Sequence, residues 1–228
     1  MELPTWCKRR NVRWKLRARQ HAQMKRVVIA SHNPGKLREF AALLAPLGID
    51  AVAQAELHIG EADEPHCTFM ENALAKARHA SRQSGLAAMA DDSGICVPVL
   101  GGMPGVYSAR FACDTPAEPK SDERNNTKLI AALRPHSDRR AFYYCALVLV
   151  RSHDDPRPII ADADWHGEIV LEPRGNGGFG YDPYFWLAEL NCTAAELPAD
   201  HKNRISHRGR ALAILIEKLR AELAFDAI

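Results

Sequence analysis

An apolar run, Leu86 to Ala90, stops at two adjacent aspartates and resumes at Ile95 to Val97. Asp91-Asp92-Ser93-Gly94 therefore reads as an acidic corner between two strands. Neighbouring side chains on a strand point to opposite faces. Both carboxylates could meet in one site only if the backbone turned, and Ser93-Gly94 is suited to a turn. A carboxylate at the end of a buried strand is well placed to hold Mg²⁺, which takes one or two carboxylates and completes its shell with phosphates and water. By itself, the tetrapeptide is better read as a plain polar turn, and only its company along the chain favours the metal site.

The 228 residues suffice for one large α/β domain or two lobes. No segment approaches the roughly 18 uninterrupted apolar residues of a membrane span. The formal charge of +2 gives no overall attraction to nucleic acid. Charge is nonetheless concentrated at the start: Lys8, Arg9, Arg10, Arg13, Lys15, Arg17, Arg19, Lys25 and Arg26 face the single acid Glu2. This leader lacks the apolar core of a secretory signal. It reads as a nucleic-acid arm, a targeting peptide, or an artefact of start-codon choice ahead of Met24. The last is preferred, giving a basic leader over 1–23 and a folded α/β domain over 24–228. The six cysteines form no C-x-x-C pair, which points to a reducing cytoplasm.

Arg26–Ala30 is a short β-branched strand. It runs into Ser31-His32-Asn33-Pro34-Gly35-Lys36, after which Leu37, Phe40, Ala41, Leu43 and Leu44 recur at helical spacing. A loop opening at a helix N-terminus, where free N–H groups favour an anion, fits a phosphate. Ser31 and Asn33 add neutral donors and Lys36 adds charge. Neither a Walker A nor a dinucleotide fingerprint is present, and a simple capped βα connection explains the loop equally well. A second strand is expected over Ile49–Ala53, followed by the acidic stretch Glu61–Pro65.

Thr68-Phe69-Met70-Glu71 reads as a capping box. It opens a helix with Phe69, Ala73, Ala77 and Ala80 on one face and Lys76 among the alanines, closing near Gly85. Arg110, in a Gly- and Pro-rich apolar loop, is a phosphate ligand or the partner of an acid. Asp122–Leu133 reads as a helix. Arg140–Val150 and Pro158–Leu171 read as an antiparallel pair, the second bent at Trp165-His166-Gly167-Glu168, so the sheet is mixed. In Gly178-Phe179-Gly180-Tyr181-Asp182-Pro183, glycine lets backbone approach a ligand, Phe179 can stack on a planar base, and Asp182 can accept from a ring N–H. Thr193-Ala194-Ala195-Glu196 is a second capping box. Ser206 caps the last helix, whose apolar face is Leu212, Leu215, Ile216, Leu219 and Leu223. His207 and Arg208 in its first turn oppose the helix dipole, which suggests an electronegative partner.

These stretches, in this order over about residues 24–224, resemble the inosine triphosphate pyrophosphatase family. The resemblance implies a long mixed, twisted sheet flanked by helices, in two α/β lobes with the active-site cleft between them. It implies a homodimer that uses Mg²⁺ to cleave deaminated purine nucleoside triphosphates, such as ITP, dITP and XTP, to the monophosphate and pyrophosphate. Residue by residue, it implies that Ser31 to Lys36 (His32, Pro34 and Gly35 included) hold the triphosphate. Glu64 and Asp92 bind the metal, and Asp92 accepts the proton of the attacking water. Lys76 and Ser93 contact phosphate or sugar. Phe179, with Gly180 and Tyr181, cradles the base, and Asp182, Lys202, His207 and Arg208 surround its edge. The competing expectations are a Mg²⁺-dependent phosphatase or pyrophosphatase of other nucleotides, and a non-catalytic nucleotide- or RNA-binding protein. No membrane and no nucleic-acid partner is expected.

Overall fold

The computed structural model describes residues 25–226, apart from His32 and Pro116. The basic leader over 1–23 and His32 thus lie outside the described residues. Seven strands form one sheet in the order β2-β1-β3-β4-β5-β6-β7. They are β1 Arg26–Ile29, β2 Asp50–Ala53, β3 Ala87–Cys96, β4 Arg140–Val150, β5 Ile159–Ile169, β6 Phe185–Leu187 and β7 Cys192–Thr193. β1 pairs in parallel with β2 and β3, and every later pairing is antiparallel. The sheet is mixed, as expected. The helices are α1 Pro34–Leu44, α2 Phe69–Ser84, α3 Asp122–Leu133, α4 Ala199–Ile205 and α5 His207–Asp226.

Alternation along β3 sorts the core. Ala87 and Met89 face a cluster with Phe40 and Leu44 of α1 and with Leu212, Leu215 and Leu219 of α5. Ala88 and Ala90 face the opposite side, where Ala73, Ala77 and Ala80 of α2 are fully buried. Methyl-sized side chains bring α2 close to the sheet, and added methylenes there would cost about 1–3 kcal/mol by overpacking. Towards the far end of β3 and β4, a third cluster gathers Ile95, Val97, Tyr143, Trp165 and Phe185 with Leu129 and Leu133 of α3.

Two bends expected from the sequence are absent. Asp91-Asp92-Ser93-Gly94 is not a corner but the middle of β3, because β4 holds it extended through the pairs Asp91–Leu147, Asp92–Ala146, Ser93–Cys145 and Gly94–Tyr144. Trp165–Glu168 likewise runs straight in β5 against Arg140–Tyr143. Gly94 is required by a close approach: a Cβ there would lie 2.4 Å from both the Gly105 carbonyl oxygen and Ser108 Oγ.

Helix ends follow their capping residues. The Thr68 hydroxyl accepts from the Glu71 amide at 3.2 Å, and Gly85 closes α2 in the left-handed region at φ 69°. The reciprocal half of the predicted box differs, since the Glu71 carboxylate takes the Thr68 hydroxyl at 2.7 Å. The Thr193–Glu196 box is complete, although it opens a short 3-10 turn. Asp200 to Arg204, polar in sequence, belongs to the short helix α4.

Candidate active site

β1 stops at Ile29, opposite Met89, whereas β3 continues to Cys96 with β4 on its other edge. On the edge that β1 abandons, Met89 still accepts from the Ala30 amide at 2.8 Å, and the Ile95 amide donates to Ser108 Oγ at 2.9 Å. Between these two contacts lies a gap at Asp91–Ser93. Beside this gap the adjacent aspartates stand on opposite faces of the strand without any turn, Asp91 towards α1 and α5 and Asp92 towards α2.

On the α2 side, Asp92 Oδ1 accepts from Lys76 Nζ at 3.3 Å and Oδ2 from Asn72 Nδ2 at 3.3 Å. Lys76 also donates to Glu64 Oε1 at 2.5 Å. Asn72 and Lys76 are one helical turn apart, so both reach the same carboxylate. Asn72 is fixed in turn by His66, accepting from its amide at 3.0 Å and donating to its carbonyl at 3.2 Å. Burial raises the Asp92 carboxyl above its usual range, the Lys76 ammonium offsetting only part of this and the Glu64 charge adding to it. Burial would lower Lys76, but Asp92, Asp91 and Glu64 outweigh it and push the ammonium up.

On the α1–α5 side, Asp91 receives Lys36 Nζ on both oxygens, at 2.9 and 2.8 Å, and Arg208 Nε at 3.4 Å. Burial favours the neutral acid, yet the Lys36 and Arg208 charges hold Asp91 well below the carboxylate range. Arg208 also donates to Ser93 Oγ at 3.3 Å. The start of α1 is capped by its own loop. Asn33 Oδ1 accepts from the amides of Gly35 at 2.8 Å and Lys36 at 3.3 Å, while Ser31 Oγ accepts from the Asn33 amide at 3.1 Å. The N–H groups expected to be free are thus occupied by Asn33, an N-cap made of the residue type that best supplies one. Pro34 occupies the first helical position.

Beside Ser93 and Arg208 lies a cavity of about 150 Å³ whose wall also includes Phe179, Asp182, Lys202 and His207. Phe179 is 57% exposed, with Lys202 Nζ 4.8 Å and the Arg208 guanidinium carbon 5.9 Å from its ring centre. Asp182 is buried and takes Lys202 Nζ, the Phe179 amide at 2.8 Å and the Tyr143 hydroxyl at 3.3 Å. Gly178 makes this closure possible, as its φ is 72° and a Cβ there would collide with the Asp182 carboxylate. Gly180 is clamped from α3, its amide donating to Asp122 at 2.7 Å and its carbonyl accepting from Asn126 at 2.8 Å. Tyr181 turns into the core and donates to the Ser108 carbonyl at 2.7 Å. His207 is buried beside Arg208 in the first turn of α5, and among the described residues its Nδ1 has no hydrogen-bond partner.

The structure thus joins Lys76 to Glu64 and Asp92, links Lys36 to Arg208 through Asp91, and lines one pocket with Ser93, Phe179, Asp182, Lys202, His207 and Arg208. Arg110 instead donates to the Glu118 carbonyl at 3.1 Å. Sequence reasoning missed Asn72, Tyr143, Asp122 and Asn126. The spacing of Asn72 from Lys76 could have disclosed the first; Tyr143, inside an apolar strand, carries no such signal.

Among the described residues no group of three or more His, Cys, Asp and Glu side chains could enclose a metal. Glu64 and Asp92 nevertheless converge on one cation, the Lys76 ammonium. Two carboxylates form the oxygen set that suits Mg²⁺ when substrate phosphates and water complete its shell.

Cations paired to carboxylates at one end, and an aromatic–cation pocket at the other, suit a polyanion that carries a planar ring. The model of the Ham1 family matches residues 27–218, and the chain belongs to that family. A dITP/XTP pyrophosphatase of Nitrosomonas europaea is 62% identical over 196 residues, covering 86% of this chain and 95% of that protein. One of Ralstonia nicotianae is 62% identical over 197 residues, covering 86% and 98%. Among solved structures, a HAM1 protein from Coxiella burnetii has a TM-score of 0.81 at 43% identity, covering 86% of this chain and 98% of its own. The Staphylococcus aureus Ham1 protein has a TM-score of 0.79 at 36% identity, covering 86% and 99%.

Proposed function

We propose that the protein hydrolyses deaminated purine nucleoside triphosphates (ITP, dITP and XTP) to the monophosphate and pyrophosphate, removing them from the nucleotide pool. The observation that carries this reading is the pairing, along one gap in β3, of Asp92, Lys76 and Glu64 with a pocket formed by Phe179, His207 and Arg208. The names of the relatives, dITP/XTP pyrophosphatases, support dITP and XTP among these substrates.

Glu64 and Asp92 would hold Mg²⁺, which neutralises phosphate charge and acidifies bound water. Asp92, steadied by Asn72, orients the attacking water and takes its proton. The water oxygen bonds to the α-phosphorus as the bond to the bridging oxygen breaks, and pyrophosphate leaves. Lys36 and Lys76 face the charge that grows on the phosphoryl oxygens. Ser31, Asn33, Gly35 and Ser93 supply neutral contacts to the phosphates and sugar.

Base selection follows from donors and acceptors. Hypoxanthine and xanthine present an oxygen at position 6, whereas adenine presents an amine. Arg208 and His207 stand in the wall of this pocket and would donate to the oxygen, whereas adenine's amine offers them no acceptor. Sites built on such bonds discriminate by large factors. Rejection of guanine, which shares that oxygen, requires a crowded or donor-lined wall near its 2-amine.

Action as a homodimer in the cytoplasm completes the proposal. Among the described residues no helix is long and apolar enough to cross a membrane. Product analysis with ITP and ATP tests the reading. IMP and pyrophosphate from ITP, with ATP nearly untouched, are expected. IDP with orthophosphate would identify a phosphatase, equal use of ATP would remove the base assignment, and binding without turnover would leave a nucleotide-binding protein.

A further inference from the structure

Asp91 has no part in the chemistry above, yet its side chain is only 1% exposed, against 13% for Asp92. It touches cations from two distant parts of the chain. Lys36 stands in the first turn of α1, beside the phosphate loop, and Arg208 in the first turn of α5, over Phe179. They share one oxygen, Oδ2, at 2.8 and 3.4 Å. Two cations held this close repel each other unless a negative charge stays between them. With the carboxylate so enclosed between them, the position of either cation depends on the other.

Taking the cleft as a pyrophosphatase site, we propose that Asp91 is a positioning residue that couples base recognition to phosphate placement by fixing Lys36 and Arg208 in one geometry. A base oxygen meets Arg208 where Asp91 holds it. An amine repels the guanidinium, which can withdraw only by disturbing Asp91 and, through it, Lys36. A wrong base then misplaces its own phosphates, and selection appears in kcat as well as in KM.

Kinetics of the full-length protein with ITP and ATP test this, comparing wild type with Asp91→Asn. The expected result is a fall in kcat for ITP of about 100-fold. The ITP/ATP ratio of kcat/KM should also narrow by about tenfold. A purely structural role would reduce the active fraction equally for both nucleotides, leaving KM and the ratio unchanged, and would overturn the proposal. Breaking a buried ion pair can prevent folding, so a second measurement uses Lys36→Met, Arg208→Met and the double variant. With coupling through Asp91, the loss in the double variant is smaller than the product of the single losses by about tenfold. Losses that simply multiply would overturn it. The cycle reads coupling on whichever triphosphate is cleaved. A wild type that fails to prefer ITP over ATP would therefore count against the substrate assignment and not against the coupling.

Discussion

The imidazole of His207 lies flat on the phenol ring of Tyr143, with centroids 4.7 Å apart and planes 8° from parallel. Tyr143 is itself tied to Asp182, so one stack joins β4, the Phe179 loop and α5. Burial, followed by the Arg208 and Lys202 charges, drives the His207 pKa well below its usual value. The ring is neutral in the folded protein at neutral pH.

This gives stability a definite pH dependence. An unfolded histidine takes up a proton near pH 6.5, while folded His207 resists it. Its contribution is complete above pH 6.5 and is lost as pH falls towards the depressed folded value. The slope is at most about 1.4 kcal/mol per pH unit. Urea unfolding at pH 7.5 and 5.5 should show wild type losing about 1 kcal/mol more than His207→Phe. Equal losses would mean that the ring is protonated in the folded state.

Asp92→Asn separates binding from chemistry. The amide keeps the shape of the carboxylate and one acceptor oxygen for Lys76 or Asn72, but it cannot take the proton assigned to Asp92 in the proposed reaction. kcat should fall by about 1,000-fold. ITP affinity, measured by calorimetry without turnover, should stay within about tenfold. Retention of kcat would remove Asp92 from the reaction.

Phe179 contributes through its exposed face. Phe179→Ala removes a stacking surface worth about 1–3 kcal/mol to a base. KM for ITP should rise by about tenfold or more, with kcat changed by less than about threefold. A fall in kcat at unchanged KM would show that the ring acts on the phosphates.

Gly94→Ala tests the close packing beside the acidic pair. The added methyl group meets the Gly105 carbonyl and Ser108 Oγ. The Ser108 hydroxyl must then abandon bonds to the Ile95 amide at 2.9 Å and the Gly105 carbonyl at 2.6 Å. A loss of about 3 kcal/mol is expected, seen as a lower Tm. An unchanged Tm would mean that the 105–108 segment moves aside freely.

Much of this architecture is written in local pattern. α3 and β4 span the residues that the sequence predicted, because each is bounded by its own signal: Ser121 caps α3, and the apolar run of β4 ends at Val150. Lys36, Lys76, Phe179 and Arg208 could be selected through ordered motifs. The straightness of β3 could not, because β4 imposes it from over fifty residues away. Nor could the partners of Asp91, which come from α1 and α5 and meet only in the folded chain. Local turn chemistry suggested a corner at Ser93-Gly94, and tertiary pairing overrode it.

The self-capped start of α1 bears on turnover. Asn33 already occupies the Gly35 and Lys36 amides, standing in for an anion. A phosphate seated on those amides would have to displace the cap, at a cost of about 1 kcal/mol. A triphosphate, anchored also by its base and by the metal, has binding energy to spare for the exchange. Pyrophosphate, severed from the base, would have to hold those amides against the cap by itself. With the phosphates seated on this loop as proposed, the cap would compete with the product for the same amides, and pyrophosphate should inhibit only weakly.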